Sequence, residues 1–235
     1  MKKDQVQYGT SQIDYSLAFA DRKTLGIKVY PDKSVLVIAP IDATEAEVKT
    51  KVKGKAAWIL KQQEFFLSFH PLTPPRKFIS GETHLYLGKQ YKLKLKESIE
   101  NTVKLQAGQL VVLVDDKNNK TKVEKLLKAW YKSKADQHFV DLFEKNKKLT
   151  LPFGKLPETF KYRWMDKRWG SCDKNGGIHL NLELIKAPKK CIEYVLVHEL
   201  CHLIHHDHSR AFYELLEKVY PNWRKTKNKL EKLMV

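Results

Sequence analysis

The 235-residue sequence is poor in the features that mark a disulfide scaffold, a secreted chain or a membrane protein. It has three cysteines, Cys172, Cys191 and Cys201. Their number is odd, their spacing is wide and no C-x-x-C occurs. This argues against a disulfide framework and a four-cysteine zinc knuckle, and fits a reducing cytoplasm. Apolar runs reach only five residues, as at 110–114, far below the ~20 that a membrane span needs, so no membrane partner is expected. No apolar segment follows Lys2 and Lys3, and no secretory signal is expected. Acidic residues are the scarcer charge, 27 against 44 Lys and Arg. What is present is globular: 42% hydrophobic, 11% aromatic and 30% charged, which excludes a disordered chain.

The formal charge of +17 attracts polyanions at long range, which keeps a nucleotide or nucleic acid among the candidate partners. The lysines run from Lys2 to Lys232 without one block, and no homeodomain, zinc-finger or RNP signature accompanies them. A lysine-rich solvated surface is the favoured reading. Oligomeric state is not encoded in any pattern found.

Periodicity gives an α+β chain. Two strand-like runs at 26–30 and 35–38 flank the turn Pro31-Asp32-Lys33-Ser34. Thr44 and Glu47 form a capping box, behind which Val48, Val52, Ala56, Ile59 and Leu60 recur at helical spacing, with Trp58 beside them. That helix is expected to end before a stiff connector containing Pro71, Pro74 and Pro75. Tyr91, Leu93 and Leu95 alternate with Lys92, Lys94 and Lys96, the pattern of a half-wet sheet. The polar run at 115–120 is the best boundary. It divides a β-rich N-terminal lobe with an embedded helix, 1–116, from a second lobe, 117–235. There a long amphipathic helix begins at Val123, with His138 on its packed side. A strand at 159–165, a hairpin around 173–177 and a helix opened by Pro188 follow. No internal repeat is visible.

The chemistry lies on that last helix. His198-Glu199-Leu200-Cys201-His202 reads H-E-x-x-H. Residues four apart share a helix face, so both imidazoles can reach one metal ion. Glu199, rotated about 100° from His198, lies beside the ion rather than on it, where it can take a proton from water. With 9 His and 15 Glu, composition alone gives about 0.02 such matches. A catalytic zinc needs a third protein ligand. His205, His206 and His208 are candidates, and Glu214 and Glu217 on the following helix remain open. His208, beyond the helix end, suits a third direction of approach best. Ser209 would cap the next helix, whose apolar face is Phe212, Leu215, Leu216 and Val219.

Residues 168–212 resemble the YgjP-like metallopeptidase family, relatives of the SprT and Spartan zincins. The resemblance is carried by Arg168-Trp169-Gly170-Ser171-Cys172, by Val197-His198-Glu199-Leu200-Cys201-His202-Leu203 and by His208-Ser209-Arg210-Ala211-Phe212. It extends to Val35–Pro40, Ala57-Trp58-Ile59 and Tyr86-Leu87-Gly88-Lys89-Gln90-Tyr91. It implies a zincin-like C-terminal lobe, one Zn2+ per chain on His198, His202 and His208, and Glu199 as catalytic residue. Tyr213 stands where Trp is common and Cys201 where a small residue is common. Metzincins share the 198/202/208 spacing, but His205 fills their glycine position and no Met-turn follows. A thermolysin-type glutamate position holds Asn222.

The expectation is therefore a zinc hydrolase acting on polypeptides. Arg168, Tyr213 and Tyr162 are candidates for holding the oxyanion, and Asp207 and Glu183 for orienting imidazoles. A second reading has the same site cleave a phosphoanhydride of a nucleotide, with Arg163, Lys167, Arg168 and Arg210 as candidate cations. A third is a basic nucleic-acid-binding protein with a structural metal, against which an intact Glu199 speaks.

Overall fold

The computed structural model describes residues 2–30, 32–67, 76–166 and 168–234. Pro31, the connector prolines 71, 74 and 75, and Lys167 lie outside the described residues. The chain forms two compact units, residues 1–74 and 75–234. The 116/117 boundary expected from the polar run thus falls inside the second unit.

In the first unit β1 (Lys2–Tyr8), β2 (Ser11–Ala20), β3 (Gly26–Val29) and β4 (Val35–Pro40) form one sheet in the order β1-β2-β4-β3. The β1–β2 hairpin was not among the expected strands, although Ile13, Tyr15 and Leu17 alternate inward and are all buried. Its turn uses Gly9 at φ +56°. The capping box forms: Glu47 N–H donates to Thr44 Oγ1 (3.3 Å) and Thr44 N–H donates to the Glu47 carboxylate (2.8 Å). One helix was expected here, but two are found, α1 (Glu45–Gly54) and α2 (Ala56–Leu67). The break follows Gly54, the weakest helix former in the run, at Lys55 with φ −105° and ψ 5°. Val48, Val52, Ala56 and Ile59 stay fully buried against the sheet, so the apolar stripe crosses the break intact. Trp58 points away and is 44% exposed.

The second unit repeats that topology. β5 (Thr83–Tyr86), β6 (Lys89–Glu97), β7 (Thr102–Gln106) and β8 (Gln109–Val114) are ordered β5-β6-β8-β7. As in the first sheet, the outer pairs are antiparallel and the central pair, β6 with β8, is parallel. No repeat is visible in sequence, because what recurs is strand order and an apolar alternation rather than residue identity. Leu93, Leu110, Val112 and Val114 bury one face against Val123 and Leu127 of α3 (Lys120–Asn146), while Lys92, Lys94 and Lys96 take the wet face. This packing makes the polar run at 115–120 an internal turn. The 87–88 turn also donates two backbone hydrogen bonds to Ile185 and Lys186. There Gly88, at φ +78°, passes so close to Pro188 that a Cβ would stand 2.6 Å from its Cγ.

The rest of the unit carries β9 (Thr159–Arg163), β10 (Gly170–Cys172) and β11 (Gly177–Asn181), ordered β10-β11-β9, with β9 parallel to β11. Around them lie α4 (Lys189–Cys201), α5 (Arg210–Val219) and α6 (Trp223–Met234). Phe139 of α3, Ile178 and Leu180 of β11, Leu196 of α4 and Phe212 of α5 share one fully buried core. His138 packs as expected, its Nε2 3.0 Å from the Tyr86 hydroxyl. α6 was not foreseen. Among the described residues no helix is long and apolar enough to cross a membrane.

Candidate metal centre and active site

α4 is buried on almost every side, from Cys191 to Cys201, and Pro188 stands at its N-cap position. The helix stops at His202, so His205 and His206 do not extend its face. His205 instead offers its backbone carbonyl to His202 Nδ1 at 2.9 Å. The chain turns, and His208 brings its ring to 5.1 Å from that of His198 and 4.7 Å from that of His202. Beneath all three lies Phe212, with ring separations of 4.9, 4.5 and 4.9 Å. Ser209 occupies the N-cap position of α5 but makes no side-chain capping bond, its hydroxyl being engaged by Asp207.

The donor set fits a metal ion. One ligand atom from each of His198, His202 and His208 lies within 4.8 Å of the others. His198 Nε2 and His208 Nε2 face each other at 3.0 Å. Tetrahedral coordination with bonds of about 2.0–2.1 Å separates ligand nitrogens by about 3.3 Å. The bond from His202 Nδ1–H to the His205 carbonyl leaves Nε2 of that ring as the free donor. Burial, reinforced by the neighbouring rings of His202 and His208, drops His198 to about 3, and burial likewise lowers His202. Neutral imidazoles are the form that ligates. The buried Nδ1 of His198 has no hydrogen-bond partner among the described residues. Of the residues considered for orienting these rings, Glu183 pairs with Lys186 and Asp207 with Ser209. The orienting contact found is the His205 carbonyl.

Glu199 sits beside this triad against β10. Trp169 and Asp173 face β11, since Asn181 N–H donates to Trp169 O and Asp173 N–H to Gly177 O. Alternation therefore turns the polar groups of Gly170 and Cys172 to the free edge. The Cys172 N–H donates to the Glu199 carboxylate. Burial pushes that carboxyl up to about 8, against the lowering pulls of this bond and of the Arg168 charge. Burial and the nearby Glu199 raise Cys172 to about 11 and Cys201 to about 12, so both are thiols rather than ligating thiolates.

The triad and Glu199 open into a cavity of about 560 Å³. Of the oxyanion candidates, Arg168 and Tyr213 line it. Tyr162 does not: its hydroxyl bonds Asp136 and its ring packs on Phe139. Glu214 and Glu217 are engaged elsewhere, the first accepting from Arg210 at 2.7 Å and the second from Trp223 Nε1 at 2.7 Å. Three lining residues were not foreseen, Tyr194 on α4 and Trp223 and Lys227 on α6. Tyr194, one turn before His198, carried a legible signal. Asn181 also went unnoticed. Buried at 2% exposure, its amide donates to the carbonyls of Met165 and Arg168, and its oxygen accepts from Met165 and Glu183, fixing the segment that presents Arg168.

No curated protein matches the chain. A solved structure that does, the crystal structure of the metallopeptidase zymogen of Pyrococcus abyssi abylysin, is 25% identical over 38% of this chain and 89% of that one, with a TM-score of 0.34. Residues 23–233, nearly the whole length, match the YgjP-like metallopeptidase domain. The chain thus belongs to the YgjP-like metallopeptidase family, whose members are hydrolases of the metallopeptidase type.

Proposed function

We propose that the protein is a zinc peptidase in which His198, His202 and His208 hold one zinc ion and Glu199 is the general base. The observation that carries this reading is the seat of Glu199, a buried carboxyl held on the Cys172 N–H beside three converging imidazoles. Three neutral nitrogen donors suit zinc, and leave a position for substrate. When bound, zinc supplies Lewis-acid chemistry, polarising the peptide carbonyl and acidifying water. Glu199 takes the proton from the attacking water and delivers it to the departing amide nitrogen, two transfers for which its seat on the Cys172 N–H positions it. Arg168 and Tyr213 are the groups available to the developing oxyanion, supported by their place on the cavity wall. An extended polypeptide would pair with the outward N–H and C=O of Gly170 on the edge of β10, which would bring its next carbonyl to the three histidines. The three free thiols accord with a reducing, cytoplasmic setting.

A second reading, cleavage of a nucleoside triphosphate, is favoured by the cations at the cavity. Of the four expected ones, Arg163 lines a neighbouring hollow, Arg210 is paired with Glu214, Lys167 is outside the described residues, and Arg168 alone lines this cavity. The peptide reading is preferred. The test offers zinc-loaded wild-type protein and Glu199→Gln both unfolded polypeptides and nucleoside triphosphates. Peptide cleavage that falls about a hundredfold or more in the variant is expected. Release of phosphate or pyrophosphate without peptide cleavage would overturn the reading.

A further inference from the structure

The charges around the cavity are unevenly paired. Two arginines just outside it, Arg210 and Arg224, are held by Glu214 and Glu217. The two cations on its wall are not so held. Arg168 has no carboxylate within 4.0 Å among the described residues, and Lys227 has only Glu231, one helical turn away at 3.8 Å. Among the described residues neither side chain makes a hydrogen bond. The two come from separate elements, the segment before β10 and α6, and both charges reach the site: Arg168 acts on Glu199 and Lys227 on His198. Glu199 is the one carboxylate among the described lining residues, and it serves the chemistry. An unpaired guanidinium and a loosely paired ammonium beside a divalent ion leave a surplus of positive charge that a neutral peptide segment does not satisfy.

We propose that Arg168 and Lys227 together bind a carboxylate of the peptide, which makes acidic peptides the substrate class of the site. The inference rests on the peptidase reading above and leaves the developing oxyanion to Tyr213, the other candidate on the cavity wall. The guanidinium offers a planar pair of donors and the ammonium a mobile point charge, so the two can share one carboxylate from two directions. That carboxylate is supplied either by an Asp or Glu side chain near the scissile bond or by a free C-terminus.

The test separates binding from cleavage. Zinc-loaded Glu199→Gln protein is titrated with four fluorescent peptides of equal length. One is neutral with an amidated C-terminus, one carries a central Glu, one carries a central Lys and one is neutral with a free C-terminus. The central-Glu or the free-C-terminus peptide is expected to bind about tenfold tighter than the neutral one, and which does so identifies the source of the carboxylate. Adding Lys227→Gln should abolish the preference, and adding Lys227→Glu should transfer it to the Lys peptide, a gain that misfolding cannot produce. Equal binding of all four peptides, no binding of any, or an acidic preference that survives Lys227→Glu would overturn the proposal. Cleavage of unfolded polypeptides by the wild-type protein is scored in parallel. Cleavage without charge preference sinks this inference alone, whereas triphosphate hydrolysis without cleavage sinks the peptidase reading as well.

Discussion

The carboxylate of Glu199 rests directly on the backbone of Gly170: a Cβ on that residue would stand 2.7 Å from Glu199 Cγ and 2.8 Å from its Oε1. Gly170→Ala must therefore displace the carboxyl, because the strand backbone cannot retreat without pulling on the adjacent ladder bond from Asn181 N–H to Trp169 O. Turnover should fall at least about tenfold while metal content stays near that of the wild type, since the three atoms nearest to such a Cβ all belong to Glu199 and none to a histidine. Wild-type turnover in Gly170→Ala would show that this position of the carboxyl is not the working one.

Metal content should separate the five clustered histidines into two groups. Replacing His198, His202 or His208 by Ala should take bound zinc well below one per chain, as read by elemental analysis after dialysis. His205→Ala should retain it, because His205 serves through its backbone carbonyl, which alanine keeps. His206→Ala should also retain it, its ring standing on the cavity wall outside the triad. Loss of zinc in His206→Ala with retention in His208→Ala would reassign the third ligand.

Asn181→Asp replaces an amide that donates to two carbonyls with a group that cannot, at a site 2% exposed. Two carbonyls lose their donor and a carboxylate is buried facing them, at a cost of about 3 kcal/mol or more. Denaturant midpoints should fall accordingly, and hydrogen exchange should rise around 165–168. An unchanged midpoint would mean that the segment is held by other contacts.

Acid should destabilise the second unit through His84, which is 4% exposed and donates to Glu82 at 3.0 Å. Burial holds His84 below 6.5, outweighing the pull of Glu82. Above 6.5 both folded and unfolded chains are neutral here and stability is complete. As pH falls below 6.5 the unfolded chain takes the proton first, so stability declines until the lowered folded value is reached. Glu82, itself held low by three hydrogen bonds despite its burial, adds a second loss below 4.5. His84→Gln keeps a donor for Glu82 but does not titrate. Between pH 6.5 and 5.5 its stability should decline less steeply than wild type, by up to one proton, or about 1.4 kcal/mol per pH unit. Identical slopes would exclude His84 as the group responsible.

The legible parts of the chain were those fixed by neighbours in sequence. The pair His198 and His202, the capping box of Thr44 and Glu47, and the 173–177 hairpin each depend on spacings of two to four residues, and each stands where periodicity put it. Ile13, Tyr15 and Leu17 carry an equally clear strand alternation. Trp223 and Lys227 had no such signal. Their place on the cavity wall follows from the burial of Leu230 in the core shared with α4, a contact between residues some thirty apart. The division into compact units, at 74/75 rather than 116/117, follows for the same reason. A polar turn at 115–120 marks the end of β8, but whether β8 and α3 share a core depends on Leu110 and Val112 meeting Val123 and Leu127, which no local composition records.

The three histidines are gathered within a stretch of 11 residues, 198–208, by the end of one helix and the start of the next. Glu199 completes its surroundings only by meeting Gly170 and Cys172, which closes a loop of nearly thirty residues and requires the hairpin to have paired. Short loops close at lower entropic cost than long ones, and local contacts form first in folding. On the proposed reading, a nascent or partly unfolded chain would gather its three histidines before Glu199 has a seat, and would gain hydrolase activity only when β10 docks.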